Sequence, residues 1–371
     1  MINHERLLEE FIELVKVDSE TKYEAEIAKV LKQKLIDLGL EVIEDDTMEI
    51  TGHGAGNLIA TLKGNTEALP IYFTAHMDTV TPGKGIKPSV KDGYVVTDGT
   101  TILGSDDKAG IAAMLEGIKV LKEQNLKHGD IQLVITVGEE SGLVGAKALD
   151  PSLLHAKLGF AFDSNGPVGD IIIAAPTQAK IKATIFGKSA HAGVNPEDGI
   201  SAIQVASKAI SRMPLGRIDE ETTANIGRFE GGGATNIVCD RVDIIAEARS
   251  LVHEKMEQQV QKMKEAFEQT AKEYHTTADV TIEVMYPGFK FSKEDQVVQL
   301  AEKAILKIGR EPKLLSSGGG SDANVIAGHG IPTVNLAIGY EYIHTKNERM
   351  PIEELNKTAE LFVSITQTIL E

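Results

Sequence analysis

The stretch Leu69–Val80, LPIYFTAHMDTV, runs from a buried-strand pattern straight into two ionisable side chains. Pro70 to Thr74 have the apolar and β-branched character of a core strand, yet the strand ends on His76 and Asp78 with only Met77 between them. Side chains two apart in a strand share a face, so His76 and Asp78 project together where the strand stops, and Met77 points the other way into the core. Alone the pair is weak evidence, because one histidine near a strand end is usually just a hydrogen-bonded polar residue.

Outward from this strand, short apolar runs alternate with helical patterns. Amphipathic helices are expected at 5–16 and 23–38, the second stopped by Gly39 as its C-cap, with further helices near 108–123 and 143–149. Strands are expected near 57–62, 70–75, 131–137 and 158–163. The alternation predicts an α/β fold, a mixed, largely parallel sheet with helices on both faces, and ligand sites in such sheets gather at the C-terminal ends of the strands. Near 178 the texture changes to an alternating strand, AKIKATIFG, then a helix at about 199–212 and strands at 224–230 and 242–250. A long helix follows with Met256, Val260, Met263, Phe267, Ala271 and Tyr274 on one apolar stripe, then the strand DVTIEVMY. After Pro287 and Gly288 a new helix is expected near Lys293 and the first texture resumes. The chain thus reads as an α+β domain, 178–288, inserted into a discontinuous domain made of 1–177 and 289–371.

The 371 residues carry 38 basic and 55 acidic side chains, a net charge of −17. Such a field repels nucleic-acid backbones and anionic membranes, so neither is expected as a partner. Cys239 is the single cysteine, which rules out an intrachain disulfide and suits a reducing compartment. With no uninterrupted apolar run at the N-terminus and none elsewhere long enough to span a bilayer, a cytoplasmic location is expected.

Four further motifs gather acids or imidazole. GSDDKAG sets Asp106 and Asp107 just before the helix at Lys108, where free N–H groups and the helix dipole favour carboxylates; capping explains one of them but does not need both. ITVGEESG ends a strand on the adjacent like charges Glu139 and Glu140, GFAFDSNG ends another on Asp163, and YEYIHTKNE carries His344 in a loop. Converging on one sheet edge, these acids repel one another unless a cation intervenes. A His/Asp/Glu set without thiolates suits Zn²⁺, with Mn²⁺ or Co²⁺ as alternatives.

In their order and context, TAHMDTV, GSDDKAG, VGEESG, AFDSNG and IHTKNE resemble the co-catalytic zinc peptidases that include peptidase T, carboxypeptidase G and succinyl-diaminopimelate desuccinylase, most of all the peptidase T branch. The resemblance covers essentially the whole chain. It implies a zinc-peptidase domain of the phosphorylase/hydrolase-like type, with a ferredoxin-like insert serving as lid and dimerisation domain. It also implies two zinc ions, one held by His76, Asp106 and Asp163, the other by Asp106, Glu140 and His344, with Asp106 bridging and a cis peptide between Asp106 and Asp107. Asp78 would aim the His76 imidazole and Glu139 would be the general base. The implied reaction is amide hydrolysis by a metal-activated water whose proton Glu139 passes to the leaving amine.

Within the insert, GKSAHAGVNPEDGISAI is not a phosphate loop, since the first glycine of that template would fall on Lys182. GHGAGN leads into a strand, not the helix that a dinucleotide site requires. The resemblance gives His191 the task of stabilising the oxyanion from the other subunit of a homodimer joined through the insert, against the plainer reading of a histidine satisfied in a turn. It also gives Asn236 and Arg249 contacts to the substrate. In SSGGGSDANV the backbone N–H groups of Gly319, Gly320 and Ser321 could cradle a substrate carboxylate, and Gly318 stands where peptidase T has an arginine, which removes a bidentate clamp. His4, His53, His128, His155, His253, His275 and His329 lack partners at ligand spacing and receive no role.

The expected activity is that of a tripeptidase-like aminopeptidase acting on small peptides. An amidohydrolase, deacylase or carboxypeptidase working on N-acyl amino acids with the same machinery is the nearer alternative. A non-catalytic metal-binding scaffold is the more distant one, and the complete ligand set speaks against it.

Overall fold

A computed structural model describes all 371 residues. It divides into two compact units: Met1–Ala174 with Phe291–Ser316 and Ser321–Glu371, and Ala175–Lys290 with Ser317–Gly320.

The first unit is built on a mixed sheet whose strands lie in the order Glu41–Glu44, Leu58–Leu62, Ile131–Thr136, Ile71–His76, Leu158–Ser164, Thr333–Ala337 and Asp170–Ala175, with Lys313–Ser316 beside the last. The four central strands run parallel, Ile71 opposite both Ile131 and Leu158, and Thr333 opposite Gly159. Their C-terminal ends therefore share one edge. Strands buried on both faces need apolar side chains in both directions of the pleat. Phe73, Leu133, Ile135 and Phe160 fill one side, while Tyr72, Ile59 and Val134 fill a smaller cluster on the other. The larger side is aromatic at its centre: the Phe73 ring lies 4.2 Å from that of Phe362 and 5.4 Å from that of Phe162. Each such ring contributes about 1.5–3 kcal/mol on burial. Gly159 is required where it stands, because a Cβ there would lie 2.1 Å from the Tyr72 ring.

Helices Ser105–Glu123 and Ile352–Thr368 pack together over the Phe73 side, and Asp322–Gly328 covers the Tyr72 side through Ile326. Helices His4–Val15 and Ala25–Asp37 match the two expected at the N-terminus, and Gly39, at φ +77°, ends the second. The helix expected near Lys293 begins instead at Gln296, because the Asp295 carboxylate turns back to accept from the Ser292 amide at 2.6 Å and holds a turn ahead of it. Glu41–Glu44 and the three-stranded sheet of Ser89–Lys91, Tyr94–Val96 and Arg349–Pro351 were not expected; their strands are three or four residues long, too short for a period to show. No helix is long and apolar enough to cross a membrane.

The second unit is an antiparallel sheet in the order Gly216–Arg217, Thr222–Gly231, Arg241–Ser250, Thr177–Phe186 and Ala278–Tyr286. Helices Ala202–Ile210 and His253–Glu273 close its core. The apolar stripe of the longer helix, from Met256 through Val260, Met263 and Phe267 to Ala271, is buried in that core, with Tyr274 partly buried against it. The stripe is therefore packing.

Candidate active site

His76 is the last residue of strand Ile71–His76, Glu139 and Glu140 follow Ile131–Thr136 on one neighbour, and Asp163 lies near the end of Leu158–Ser164 on the other. Asp106 arrives from the other direction, at the entry to helix Ser105–Glu123, where Asp106 and Asp107 have non-helical backbone angles and are joined by a cis peptide. His344 reaches the same place from a loop, at φ +60°.

The centre of this cluster is the Asp106 carboxylate. Its Oδ1 lies 3.0 Å from Nε2 of His76, and its Oδ2 lies 3.3 Å from Nε2 of His344. His344 Nε2 is also 3.0 Å from Glu140 Oε1, and His76 Nε2 is 3.8 Å from Asp163 Oδ1. The two histidines thus sit on opposite oxygens of one carboxylate, each with a second acid beside it. Two sets of ligand atoms lie within 4.8 Å of one another: His76, Asp106 and Glu140, and His76, Asp107 and Asp163. Asp107, which has no expected ligand role, therefore stands among the candidates; its Oδ2 accepts from the His76 amide at 3.3 Å.

Electrostatics shows what this arrangement lacks. Burial first, and then the charge of Asp163, pushes Asp107 and Glu139 well above the usual carboxylate range. Burial does the same to Asp163, against the pull of His76 and with the push of Asp106. Asp106 is the exception: burial would raise it, but hydrogen bonds from His344 and His76 hold it well below the usual range. Those same bonds, to Asp106 and Glu140, lift His344 to about 10, and His76 is raised by Asp106 and Asp78 in spite of its burial. Buried acids raised together around two raised imidazoles mark a place that favours a cation among them. A divalent cation would sit there with every group in its ligating, deprotonated form, so the donor set fits metal.

Asp78 is fully buried, and the imidazole of His76 is held chiefly by its main chain: Nδ1 lies 2.9 Å from the Asp78 carbonyl oxygen and 3.5 Å from its Oδ1. A carbonyl partner puts the proton on Nδ1 and leaves Nε2 facing Asp106. The Asp78 carboxylate instead accepts from the amides of Glu139 at 3.0 Å and Glu140 at 3.3 Å. It anchors the turn that carries both glutamates.

Sequence reasoning missed three supporting residues. Tyr340 donates its hydroxyl to Asp163 Oδ1 at 3.1 Å, and Asn335 clasps the Asp163 main chain, accepting from its amide at 3.1 Å and donating to its carbonyl at 2.6 Å. Asp322 is buried and bonded to the hydroxyl of Thr136, the last residue of the strand before Glu139, and burial pushes it up to about 6. An asparagine inside the otherwise apolar strand TVNLA was the one available signal.

Ser321 is buried, with its amide donating to Asn324 Oδ1 at 3.0 Å and its hydroxyl accepting from Asn335 at 3.1 Å, so it starts a helix. His191, Asn236, Arg249, Gly319 and Gly320 belong to the second unit. There His191 is exposed, and its Nδ1 accepts from the Gly193 amide at 3.2 Å, which leaves the Nε2 proton available to donate. The Asn236 carbonyl accepts from the Ala192 amide next to it at 2.9 Å. Arg249 is paired with Glu247 at 2.9 Å and donates to the Gly318 carbonyl at 3.1 Å, so part of its fork is already engaged. Gly320 abuts the Tyr286 ring, and a Cβ there would lie 2.3 Å from it.

The family model described as peptidase family M20/M25/M40 matches residues 72–368. An uncharacterised protein of Bacillus subtilis is 72% identical over 367 residues, 99% of each chain. The crystal structure of aminopeptidase PepT from Bacillus cereus superposes with a TM-score of 0.96 at 68% identity over 100% of both chains. That of a tripeptidase from Staphylococcus aureus does so with a TM-score of 0.97 at 52% identity, over 100% of this chain and 99% of the other.

Proposed function

Because the chain belongs to peptidase family M20/M25/M40, we propose that it is a two-metal aminopeptidase that removes the first residue from short peptides, tripeptides among them. The observation that carries this reading is the Asp106 carboxylate with one oxygen toward His76 and the other toward His344. A carboxylate so divided suits a pair of cations. The names of the similar solved proteins, an aminopeptidase and a tripeptidase, support the substrate class.

His76, Asp106 and Asp163 would hold one ion and Asp106, Glu140 and His344 the other, with Zn²⁺ the best match to these donors and Mn²⁺ or Co²⁺ as alternatives. When bound, such a pair supplies Lewis acidity and lowers the pKa of water. The chain's own residues supply the rest. Glu139, pushed well above the usual carboxylate range by burial, takes a proton from the attacking water and returns it to the leaving amine. Asp78 fixes the Glu139 backbone so that its carboxylate meets the substrate in one orientation. Tyr340 and Asn335 keep Asp163 in place from both its side chain and its main chain. His191, with Nε2 as donor, would stabilise the oxyanion from a second subunit of a homodimer joined through the second unit, and Asn236, Arg249 and the Gly319–Ser321 backbone would contact the peptide. A cytoplasmic setting belongs to the same proposal.

The test is a panel of dipeptides, tripeptides and N-acetylated amino acids, with and without chelator. Free tripeptides should be cleaved, blocked ones spared, and chelation should abolish turnover. Glu139→Gln should retain both metals and lose about 10²–10⁴ in kcat. Cleavage of the blocked substrates alone would overturn the aminopeptidase reading, and a near-normal kcat would overturn Glu139 as base.

A further inference from the structure

Glu348 closes the IHTKNE motif four residues after His344, and its carboxylate is used in an unusual way. It is 2% exposed and takes four hydrogen bonds from consecutive residues. The amides of Leu103 and Gly104 donate to Oε2 at 2.7 and 2.9 Å, and the Ser105 hydroxyl and Asp106 amide donate to Oε1 at 2.6 and 3.1 Å. A buried carboxylate is costly unless its lone pairs are used, and here each oxygen receives two donors. The consequence is a rigid clamp on the segment that ends in Asp106.

The other end of the clamp matters equally. Residues 341–349 form a closed loop, its base fastened by reciprocal main-chain bonds between Glu341 and Arg349 at 2.9 and 3.0 Å, and Glu348 itself donates to the Thr345 carbonyl at 3.1 Å. His344 stands toward the tip of that loop with a side chain 51% exposed, so packing does little to place it. One loop therefore presents His344 and, from its buried base, grips the backbone of the acid that His344 faces.

We propose that Glu348 is a positioning residue that sets Asp106 and His344 in register and so determines how tightly the position they share with Glu140 holds its metal ion. The inference rests on the two-metal reading above. The other position depends on Glu348 less, because His76 is seated by the Asp78 carbonyl and Asp163 by Tyr340 and Asn335.

Calorimetric titration of the metal-free full chain with Zn²⁺, together with the visible spectrum of the Co²⁺-loaded protein, tests it. In Glu348→Gln an amide NH₂ enters a ring of donors, so one of the two Zn²⁺ binding steps should weaken about 10–100-fold while the other changes far less. Glu348→Asp, which keeps the charge on a shorter arm, should recover part of the loss. A folded Glu348→Gln protein with both Zn²⁺ steps and the Co²⁺ spectrum unchanged overturns the proposal. Should that variant fail to fold, Ser105→Ala decides the matter, since it removes one donor and leaves the charge: weakening of one step alone supports the proposal, and a wild-type titration overturns it. A wild-type protein that takes two ions yet cleaves no peptide removes the functional reading and leaves this one standing.

Discussion

Asp78→Asn separates two tasks that a carboxylate placed two residues after His76 could perform. The side chain is fully buried, its oxygens accept from the Glu139 and Glu140 amides at 3.0 and 3.3 Å, and Oδ1 is 3.5 Å from the His76 imidazole. That imidazole has its nearer partner, at 2.9 Å, in the Asp78 main-chain carbonyl, which the substitution leaves in place. Asparagine keeps one acceptor oxygen and turns an NH₂ group toward the second amide. The change removes one hydrogen bond to a charged group, worth about 1.5–3 kcal/mol, and leaves two donors facing each other. If that energy holds the Glu139 turn in its working geometry, its loss corresponds to a fall in kcat of about 10–100-fold, at 1.36 kcal/mol per decade. Affinity at the His76 position should move by less than about tenfold, because Nδ1 retains its carbonyl partner and Nε2 still faces Asp106. Tripeptide turnover at saturating metal, with metal equivalents counted after dialysis, reads the two effects separately. Full turnover combined with metal lost from the His76 position would refute the reasoning, for it would mean that the carboxylate acts through the imidazole and not through the Glu139 turn.

Two further outcomes concern the frame. Glu10 is buried between Lys34 at 2.9 Å and Lys119 at 2.6 Å; burial would raise its pKa, but the bonds to the two lysines win and lower it from 4.5. A depressed acid contributes stability above its unfolded pKa and loses it as pH falls through the folded one, so Glu10→Gln should cost about 1–3 kcal/mol near pH 7, with the difference from wild type shrinking below about pH 4.5. Chemical denaturation at several pH values checks this, and a gap that is flat with pH would contradict it. Gly117→Ala pits a helix-propensity gain of about 1 kcal/mol against overpacking of about 1–3 kcal/mol, since the new Cβ would lie 2.1 Å from the Phe362 ring. Overpacking should win and Tm should fall; a rise in Tm would show that the ring yields freely.

The parts of the site legible in the sequence were those that broke a local rule. His76 and Asp163 are polar ends on apolar strands, and Glu139 beside Glu140 is a repulsion placed where a strand stops, so each stood out against a clear pattern. Asp106 stood out because one helix start does not need two acids. The parallel order of the central strands then brought these residues to one edge, as the alternation of strands and helices predicted. Tyr340, Asp322 and Glu348 broke no rule: a tyrosine, an acid at a helix start and an acid in a loop are unremarkable until partners 100 or more residues away are known, such as Asp163 for Tyr340 and Thr136 for Asp322. The same holds for Ser317–Gly320, a run of small residues that lies late in the chain but packs with the second unit, because its contacts are to Arg249 and the Tyr286 ring.

Residues that would face an ion must be charged and presented on regular elements, and that combination is costly enough locally to leave a mark in the sequence. Residues that hold those groups need only complementary hydrogen-bonding atoms at the right place in the fold, and many side chains can supply them. The opening strand shows both within three residues. His76 was readable as an imidazole facing the acid cluster, whereas the task of Asp78 was divided in a way the sequence could not express: its carbonyl aims the histidine and its carboxylate seats the turn of Glu139. A substitution that alters the side chain and spares the carbonyl is therefore the sharpest probe of this site, since it removes the part of Asp78 that only the fold reveals.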